Sequence, residues 1–295
     1  MASLPPRPDE PALERRATRV TVTAVRGTTV ETRDDRLAGE EPMAIRVAGP
    51  GQAPVDVSIT MRTPGHEAEL AVGFLHAEGL LRDRDEIAAV ELGDPGKVAR
   101  PDDEVLVRLR RPFDAALVAE RHFAVTSSCG ICGKAALDDI HVRVAPIADG
   151  PVVPPEILWS LPARLREAQA VFEATGGLHA AGLFEADGTL IAVREDIGRH
   201  NALDKLIGGR LLAGELPLRD RIMLVSGRAG FELVQKAAVA GAPILAAVSA
   251  PSDLAVDAAA RLGITLVGFL RGDGFNVYTR PDRIETRLSQ ARGHA

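Results

Sequence analysis

Aromatic residues are scarce: one Trp, one Tyr and eight Phe make up 3% of the 295-residue sequence. Proteins that hold single-stranded nucleic acid stack its bases on such rings, so that class is disfavoured. The formal charge of −6 also argues against a broad phosphate-backbone footprint, while leaving room for a local basic pocket. No apolar run approaches the roughly 20 residues of a membrane helix. The opening Met1-Ala2-Ser3-Leu4-Pro5-Pro6-Arg7-Pro8 lacks the apolar stretch of a secretion signal. With its prolines and charges, the segment 1–16 reads as a disordered lead-in. The expected compartment is the cytoplasm, with no membrane and no nucleic-acid partner. Cysteine is rarer still, at two residues. In a reducing compartment a close cysteine pair is more often catalytic or metal-binding than a structural staple.

Both cysteines fall in Ser127-Ser128-Cys129-Gly130-Ile131-Cys132-Gly133-Lys134. A core cysteine stands among Leu and Val as a small hydrophobe. Hydroxyls, glycines and a lysine instead suit a mobile, solvent-reachable loop. Three chemistries compete for the pair. A zinc site needs two further ligands, and the chain has no second Cys pair. His76-Ala77-Glu78 does supply the upstream His-x-Glu of a zinc deaminase, but Ser128 stands where proline belongs. His76, beside Phe74 and Leu75, also fits a helix-end histidine. A dithiol oxidoreductase expects Cys-x-x-Cys opening a helix near the start of its domain, whereas this pair lies in mid-chain. A sulfur carrier needs an accessible thiolate to attack a sulfur donor and a second thiol to assist release, with Lys134 favouring the thiolate. Composition leaves the last two readings open.

What surrounds the pair is an ordinary globular chain, 46% hydrophobic and 26% charged, long enough for a substantial core. The first third alternates as half-buried strands at Val20–Val25 and Val55–Thr60, then shows helical spacing through Leu70, Ala71, Phe74 and Leu75. A strand over Val105–Leu109 and a helix over Ala115–Glu120 precede the cysteines. The proline-rich stretch 146–155 is the best linker candidate. The expected domains are 17–125 (α+β), 126–155 (cysteine loop and linker) and 156–295 (α/β).

The second half changes rhythm. A hairpin turns at Asp187-Gly188. The series strand 222–225, helix 231–240, strand 243–248, helix 254–262 and strand 264–270 follows. Continuous apolar strands alternating with helices imply a buried parallel sheet, with ligands expected beyond the strands' carboxyl ends. The loops there are Ser226-Gly227-Arg228, Ser249-Ala250-Pro251-Ser252 and Arg271-Gly272-Asp273-Gly274. They suit a phosphate-bearing ligand, or equally ordinary turns with helix caps.

Glu195-Asp196-Ile197-Gly198-Arg199-His200-Asn201-Ala202-Leu203-Asp204-Lys205 is a second constellation. Asp196 is available as a cap, and His200 with Asp204, like Asn201 with Lys205, lie four apart on one helix face. The cluster reads either as a solvated helix with intrahelical pairs or as a polar group that binds an anion or handles protons. Thr175-Gly176-Gly177-Leu178-His179 places a further histidine after a glycine pair, as a site residue or a strand-entry residue. His66, His122, His141 and His294 show no ligand spacing.

Taken together, the segments Cys129–Gly133, Thr175–Ala181, Glu195–Lys205, Ser226–Ala237, Val248–Val256 and Gly268–Thr279 resemble the formate dehydrogenase accessory sulfurtransferase family, the FdhD-type sulfur carriers. Order and spacing agree over roughly residues 17–280. The resemblance implies an enzyme that takes sulfur from a cysteine desulfurase and passes it to the molybdenum or tungsten bis-pyranopterin guanine dinucleotide cofactor required by formate dehydrogenase. It implies Cys129 as the persulfide bearer, Cys132 as its partner, and no resident metal. Phe269, Leu270, Arg271, Gly272, Asp273 and Gly274 would contact the pterin. Ser226, Arg228, His179, His200 and Lys205 complete the expected cofactor-binding set. Where the family often carries a second basic residue after Arg271, this chain has Asp273-Gly274. Backbone N–H groups are therefore expected as donors there, with Arg228, Arg271 and Lys205 supplying positive charge. The implied fold is a cytidine-deaminase-like layered α/β C-terminal domain beside a smaller α+β domain, in a homodimer. A zinc-dependent deaminase-like hydrolase and a non-catalytic pterin-cofactor chaperone are the alternatives.

Overall fold

The structure is a computed structural model describing residues 13–93, 100–118 and 144–285. Cys129 and Cys132, with Lys134 and the cysteine loop, lie outside the described residues, as does the lead-in up to residue 12. The last residues of the expected lead-in are ordered: α1 (Leu13–Arg16) is one helical turn held by Arg15, whose guanidinium bonds Glu41 at 2.6 Å and Asp102 at 2.7 Å. Of the helix expected over Ala115–Glu120, residues 116–118 are helical and the remainder is outside the description.

The N-terminal half holds two sheets. Strands β1 (Ala17–Arg26) and β2 (Thr29–Ala38) form a two-stranded antiparallel ribbon turning at Gly27, whose φ is +60°. Strands β3 (Glu41–Ala48), β4 (Val55–Arg62), β5 (Ile87–Leu92) and β6 (Glu104–Leu109) make a four-stranded sheet in the order β4-β3-β6-β5, with β3 and β6 parallel. Helix α2 (Glu67–Ala77) covers its inner face, burying Leu70, Ala71, Val72 and Leu75 against Met43, Ile45, Val47, Val105 and Val107.

The C-terminal half contains α3 (Pro155–Glu167), α4 (Ala170–Thr175), the hairpin β7 (His179–Glu185) and β8 (Leu190–Asp196), then α5 (Arg199–Ala213). There follow β9 (Arg221–Val225), α6 (Phe231–Val239), β10 (Ile244–Ala247), α7 (Asp253–Leu262), β11 (Thr265–Arg271) and β12 (Gly274–Val277). The six strands lie in the order β12-β11-β10-β9-β7-β8. The strands of the alternating series, β9, β10 and β11, run parallel as their pattern implies, and β7, β8 and β12 extend the sheet antiparallel. The central strands read as continuous apolar runs because successive residues go to opposite, equally buried faces. Met223 and Val225 pack with α5, α6 and α7, while Ile222 and Leu224 pack with α3.

The proline-rich stretch does not hang between two bodies. Val153 is fully buried and exchanges hydrogen bonds with the backbone of Arg283 and Glu285, while the Arg283 guanidinium donates to the carbonyls of Ile147, Ala148 and Asp149. The two halves meet through α2 and α5, which cross with their backbones in contact. A Cβ on Gly208 would stand 1.9 Å from the Glu69 carbonyl oxygen, and one on Gly73 would stand 1.9 Å from the Asp204 carbonyl oxygen. Only glycine permits such an approach. Around the crossing, buried Arg194 grips both Glu69 carboxylate oxygens.

Candidate functional site

The carboxyl ends of β9, β10 and β11 place three loops on one edge of the six-stranded sheet. A backbone lattice stitches them together. Ser249 N–H donates to Gly227 O at 3.3 Å, Ala229 N–H to Ala250 O at 3.2 Å, Ser252 N–H to Ala229 O at 3.0 Å, and Phe269 N–H to Ser249 O at 3.1 Å. Ser252 caps α7, accepting from Ala255 N–H at 3.2 Å. Ser226 is also partnered, since its Oγ accepts from Ala180 N–H at 2.9 Å. The ordinary-turn reading therefore explains these hydroxyls. What remains for a ligand is charge and backbone.

Arg228 is exposed and forms no ion pair among the described residues. Arg271, Gly272, Asp273 and Gly274 are likewise exposed, in a tight turn where Gly272 has φ +59°. The Arg271 guanidinium lies 5.8 Å from the centroid of the half-buried Phe269 ring. Phe269 itself adopts φ +55°, within the β-bulge between Gly268 and Arg271. A bulky residue in the left-handed region carries backbone strain of the kind that clusters at ligand sites. Leu270 is fully buried in the layer beneath, so as a side chain it packs the core and presents nothing to a ligand at this edge.

His179 reaches the same edge because β7 is antiparallel to β9: the entrance of one strand lies beside the exit of the other. Its ring rests against Gly227, where a Cβ would stand 3.3 Å from Nδ1. Burial, then the positive charges of Arg199 and His200, push the His179 pKa below its ordinary value, with Asp196 opposing.

The first turn of α5 separates into two groups. His200 and Asp204 do not pair with each other. Each reaches across to α6, His200 Nε2 lying 2.8 Å from Glu232 and Lys236 Nζ bonding both Asp204 oxygens at 2.8 and 2.9 Å. The matching i,i+4 spacings make two rungs of one ladder between helices, which rules out the reading of a solvated helix with intrahelical pairs at these two residues. The hydrogen bond from His200 lowers the Glu232 pKa, against its partial burial. Burial pushes the Asp204 carboxyl up, and Lys236 opposes that shift.

Asn201 and Lys205 turn the other way. Lys205 has no exposed side-chain surface; its ammonium lies 2.7 Å from Asp196 and 2.7 Å from the Thr63 carbonyl. Asn201 Nδ2 donates to Met61 O at 2.8 Å and Asp196 Oδ1 at 3.2 Å. Both residues bind the start of α5 to the end of β4. Lys205 therefore does not supply positive charge to the strand-end loops, a correction forced by its buried ion pair. Asp196 is not the N-cap of α5, which is Gly198, although Asp196 Oδ1 accepts from the Gly198 N–H at 2.8 Å.

His76 is buried at the end of α2, its Nδ1 3.1 Å from Leu81 O, as a helix-end histidine. Among the described residues no group of His, Cys, Asp and Glu could hold a metal ion. Sequence reasoning passed over Arg199, Glu232 and Lys236. The signal for two of them was present, since Glu232 and Lys236 repeat the spacing of His200 and Asp204 with opposite charge. The edge thus gathers Arg228, Arg271, His179, Arg199 and His200 around backbone turns, with Glu232 and Asp273 as nearby carboxylates. Such a positively biased edge can hold an anionic ligand.

An α/β protein with an anion-suited edge on a mixed sheet is the class that fold and site define. The model of the FdhD/NarQ family matches residues 38–285, and the chain belongs to that family. A sulfur carrier protein FdhD of Streptomyces avermitilis is 50% identical over 278 residues, covering 92% of this chain and 97% of its own. One from Sulfurisphaera tokodaii is 43% identical over 266 residues, covering 90% and 98%. A crystal structure from Desulfotalea psychrophila, of a candidate formate dehydrogenase accessory protein, superposes with a TM-score of 0.71 over 91% of this chain and 99% of its own. At 24% identity it supports the fold. Among the described residues no helix is long and apolar enough to cross a membrane.

Proposed function

We propose that this protein is a sulfur carrier that accepts sulfur from a cysteine desulfurase and delivers it to the molybdenum or tungsten bis-pyranopterin guanine dinucleotide cofactor of formate dehydrogenase. The observation that carries the reading is the combination of the Cys129–Cys132 pair with near full-length relatives, 43–50% identical, that are named sulfur carriers. The strand-end residues fit an anionic client. Arg228 and Arg271 stand exposed, the turn at Gly272 presents its backbone, and His179 and His200 flank the edge. In this reading the C-terminal layers follow a cytidine-deaminase-like plan, and the protein works in the cytoplasm as a homodimer.

The chemistry starts at Cys129. Its thiolate attacks the terminal sulfur of the desulfurase persulfide, the donor S–S bond breaks, and the donor cysteine leaves as a thiolate. Cys129 then bears the persulfide. Attack by Cys132 on the Cys129 sulfur closes a disulfide between them and releases the terminal sulfur as hydrosulfide, so the two electrons come from the dithiol. The client cofactor, held by its phosphates at the strand-end edge, takes up the hydrosulfide sulfur in exchange for an oxygen ligand of its metal, which leaves as hydroxide.

Incubation with a cysteine desulfurase and free cysteine, followed by intact-mass measurement, tests the proposal. The native protein should gain one sulfur atom, removable by reductant, and Cys129→Ala should gain none. A native protein that stays unmodified, or stoichiometric zinc bound through the two cysteines, overturns it.

A further inference from the structure

Glu232 lies outside the expected set of site residues, yet its carboxylate is bonded to His200 in the first turn of α5. His179 pairs across the hairpin with Asp196, just ahead of Arg199 and His200 at the start of α5, and both of these oppose protonation of His179. Arg199 forms no ion pair among the described residues, and its Nε is buried without a hydrogen-bond partner. Gathering like charges costs stability unless a ligand uses them, which is why such clusters mark functional sites. Helices α5 and α6 both start here with glycine N-caps, Gly198 and Gly230, which carry no side chain to cap the first-turn N–H groups.

We infer that Glu232 is a positioning residue: by holding Nε2 of His200 at 2.8 Å it sets the imidazole beside His179 and Arg199, and these three side chains seat a phosphate group of the substrate. The inference rests on the client-binding reading above and names the chemistry of one of its subsites. With Nε2–H committed to Glu232, Nδ1 is the ring nitrogen left for a ligand; in the imidazolium form its N–H donates to a phosphate oxygen, and it has no partner among the described residues. A carboxylate behind one nitrogen fixes the ring's orientation, the arrangement by which buried or bound histidines are commonly aimed. The second rung, Asp204 with Lys236, holds the helices in register one turn deeper and keeps the first rung aligned. Glu232 is the member that can be altered without opening the core, since its side chain is 62% exposed.

Inorganic pyrophosphate is the probe, titrated calorimetrically into the full-length protein. Glu232→Ala should weaken binding about tenfold, the loss of one hydrogen bond to a charged group. Glu232→Gln keeps an acceptor for Nε2 and should recover most of that loss, which mere removal of negative charge cannot explain. With pyrophosphate bound, ring nitrogen shifts of His200 should show both nitrogens protonated in the native protein and in Glu232→Gln, but not in Glu232→Ala. Glu173→Ala, at a remote exposed carboxylate, should bind as the native protein does. Equal affinity of the native, Ala and Gln forms, or tighter binding by both variants, overturns the positioning role while leaving an anion site in place. A native protein that ignores pyrophosphate overturns the subsite itself, whereas the sulfur-adduct measurement on Cys129 separately decides the carrier reading.

Discussion

Replacing Gly208 by alanine tests the crossing on which the two halves depend. Its Cβ would stand 1.9 Å from Glu69 O, 2.6 Å from Gly73 N and 2.8 Å from Glu69 C, all backbone atoms of α2. Ordinary contact begins at 3.4 Å, so the helices must part by about 1.5 Å, and no rotamer change can relieve the clash. Alanine's better helix propensity returns about 1 kcal/mol, against an overpacking cost above the usual ~1–3 kcal/mol. The expected net loss is about 2–3 kcal/mol. Gly209→Ala is the control, because the atoms nearest its Cβ belong to the carboxyl group of Glu69, from 3.1 Å outward, rather than to backbone. There the propensity gain and a small side-chain shift should leave stability within about 1 kcal/mol. Urea unfolding with comparison of midpoints and slopes reads both variants. If Gly208→Ala proves as stable as Gly209→Ala, the close crossing is not what joins the halves.

Two further outcomes follow from buried charges. Burial alone would raise the Glu69 carboxyl, but hydrogen bonds from Arg194 and His66 prevail and hold its pKa at about 2, below its ordinary 4.5. Its contribution, about 3 kcal/mol, is complete above pH ~4.5 and fades as pH falls toward ~2. Glu69→Gln should therefore lower stability at neutral pH and flatten the acid limb; an unchanged acid limb in denaturant melts would exclude this role. Lys236→Met leaves Asp204 charged and buried without its partner and should cost about 3–5 kcal/mol. The double variant Asp204→Leu, Lys236→Met should regain much of that, and strictly additive losses in the double-mutant cycle would contradict a coupled pair.

The C-terminal strands and helices were legible because each is short, apolar and bounded by turn residues: the strands at 222–225 and 264–270 and the helix at 254–262 fall within a residue or two of their observed limits. The strand β2 was not, because Arg33, Asp34, Asp35 and Arg36 lie on an exposed ribbon with no buried face to impose alternation. The antiparallel placement of β7 also escaped, since a hairpin at Asp187-Gly188 specifies its own turn and not its neighbour in the sheet. At the site, turn chemistry marked the strand-end loops as either a ligand edge or ordinary turns, and His179 joined the expected set through the family resemblance. Lys205 was misread because a lysine in a polar helix start looks solvated, and only the tertiary fold brings Asp196 and Thr63 around it. The pairing of His200 with Glu232 spans two helices, and sequence periodicity registers neighbours on one helix alone.

The contact of α2 with α5 bears on how such a protein can vary through descent. Gly73 faces the backbone of Asp204, and Gly208 faces that of Glu69, while Asn201 and Lys205 bond to the backbone of Met61 and Thr63. Substitutions on either helix are therefore constrained by the other, and the halves are inherited as one unit. A chimera that takes residues up to 118 from one relative and the rest from another should fold only when the donor pair share this small-residue crossing.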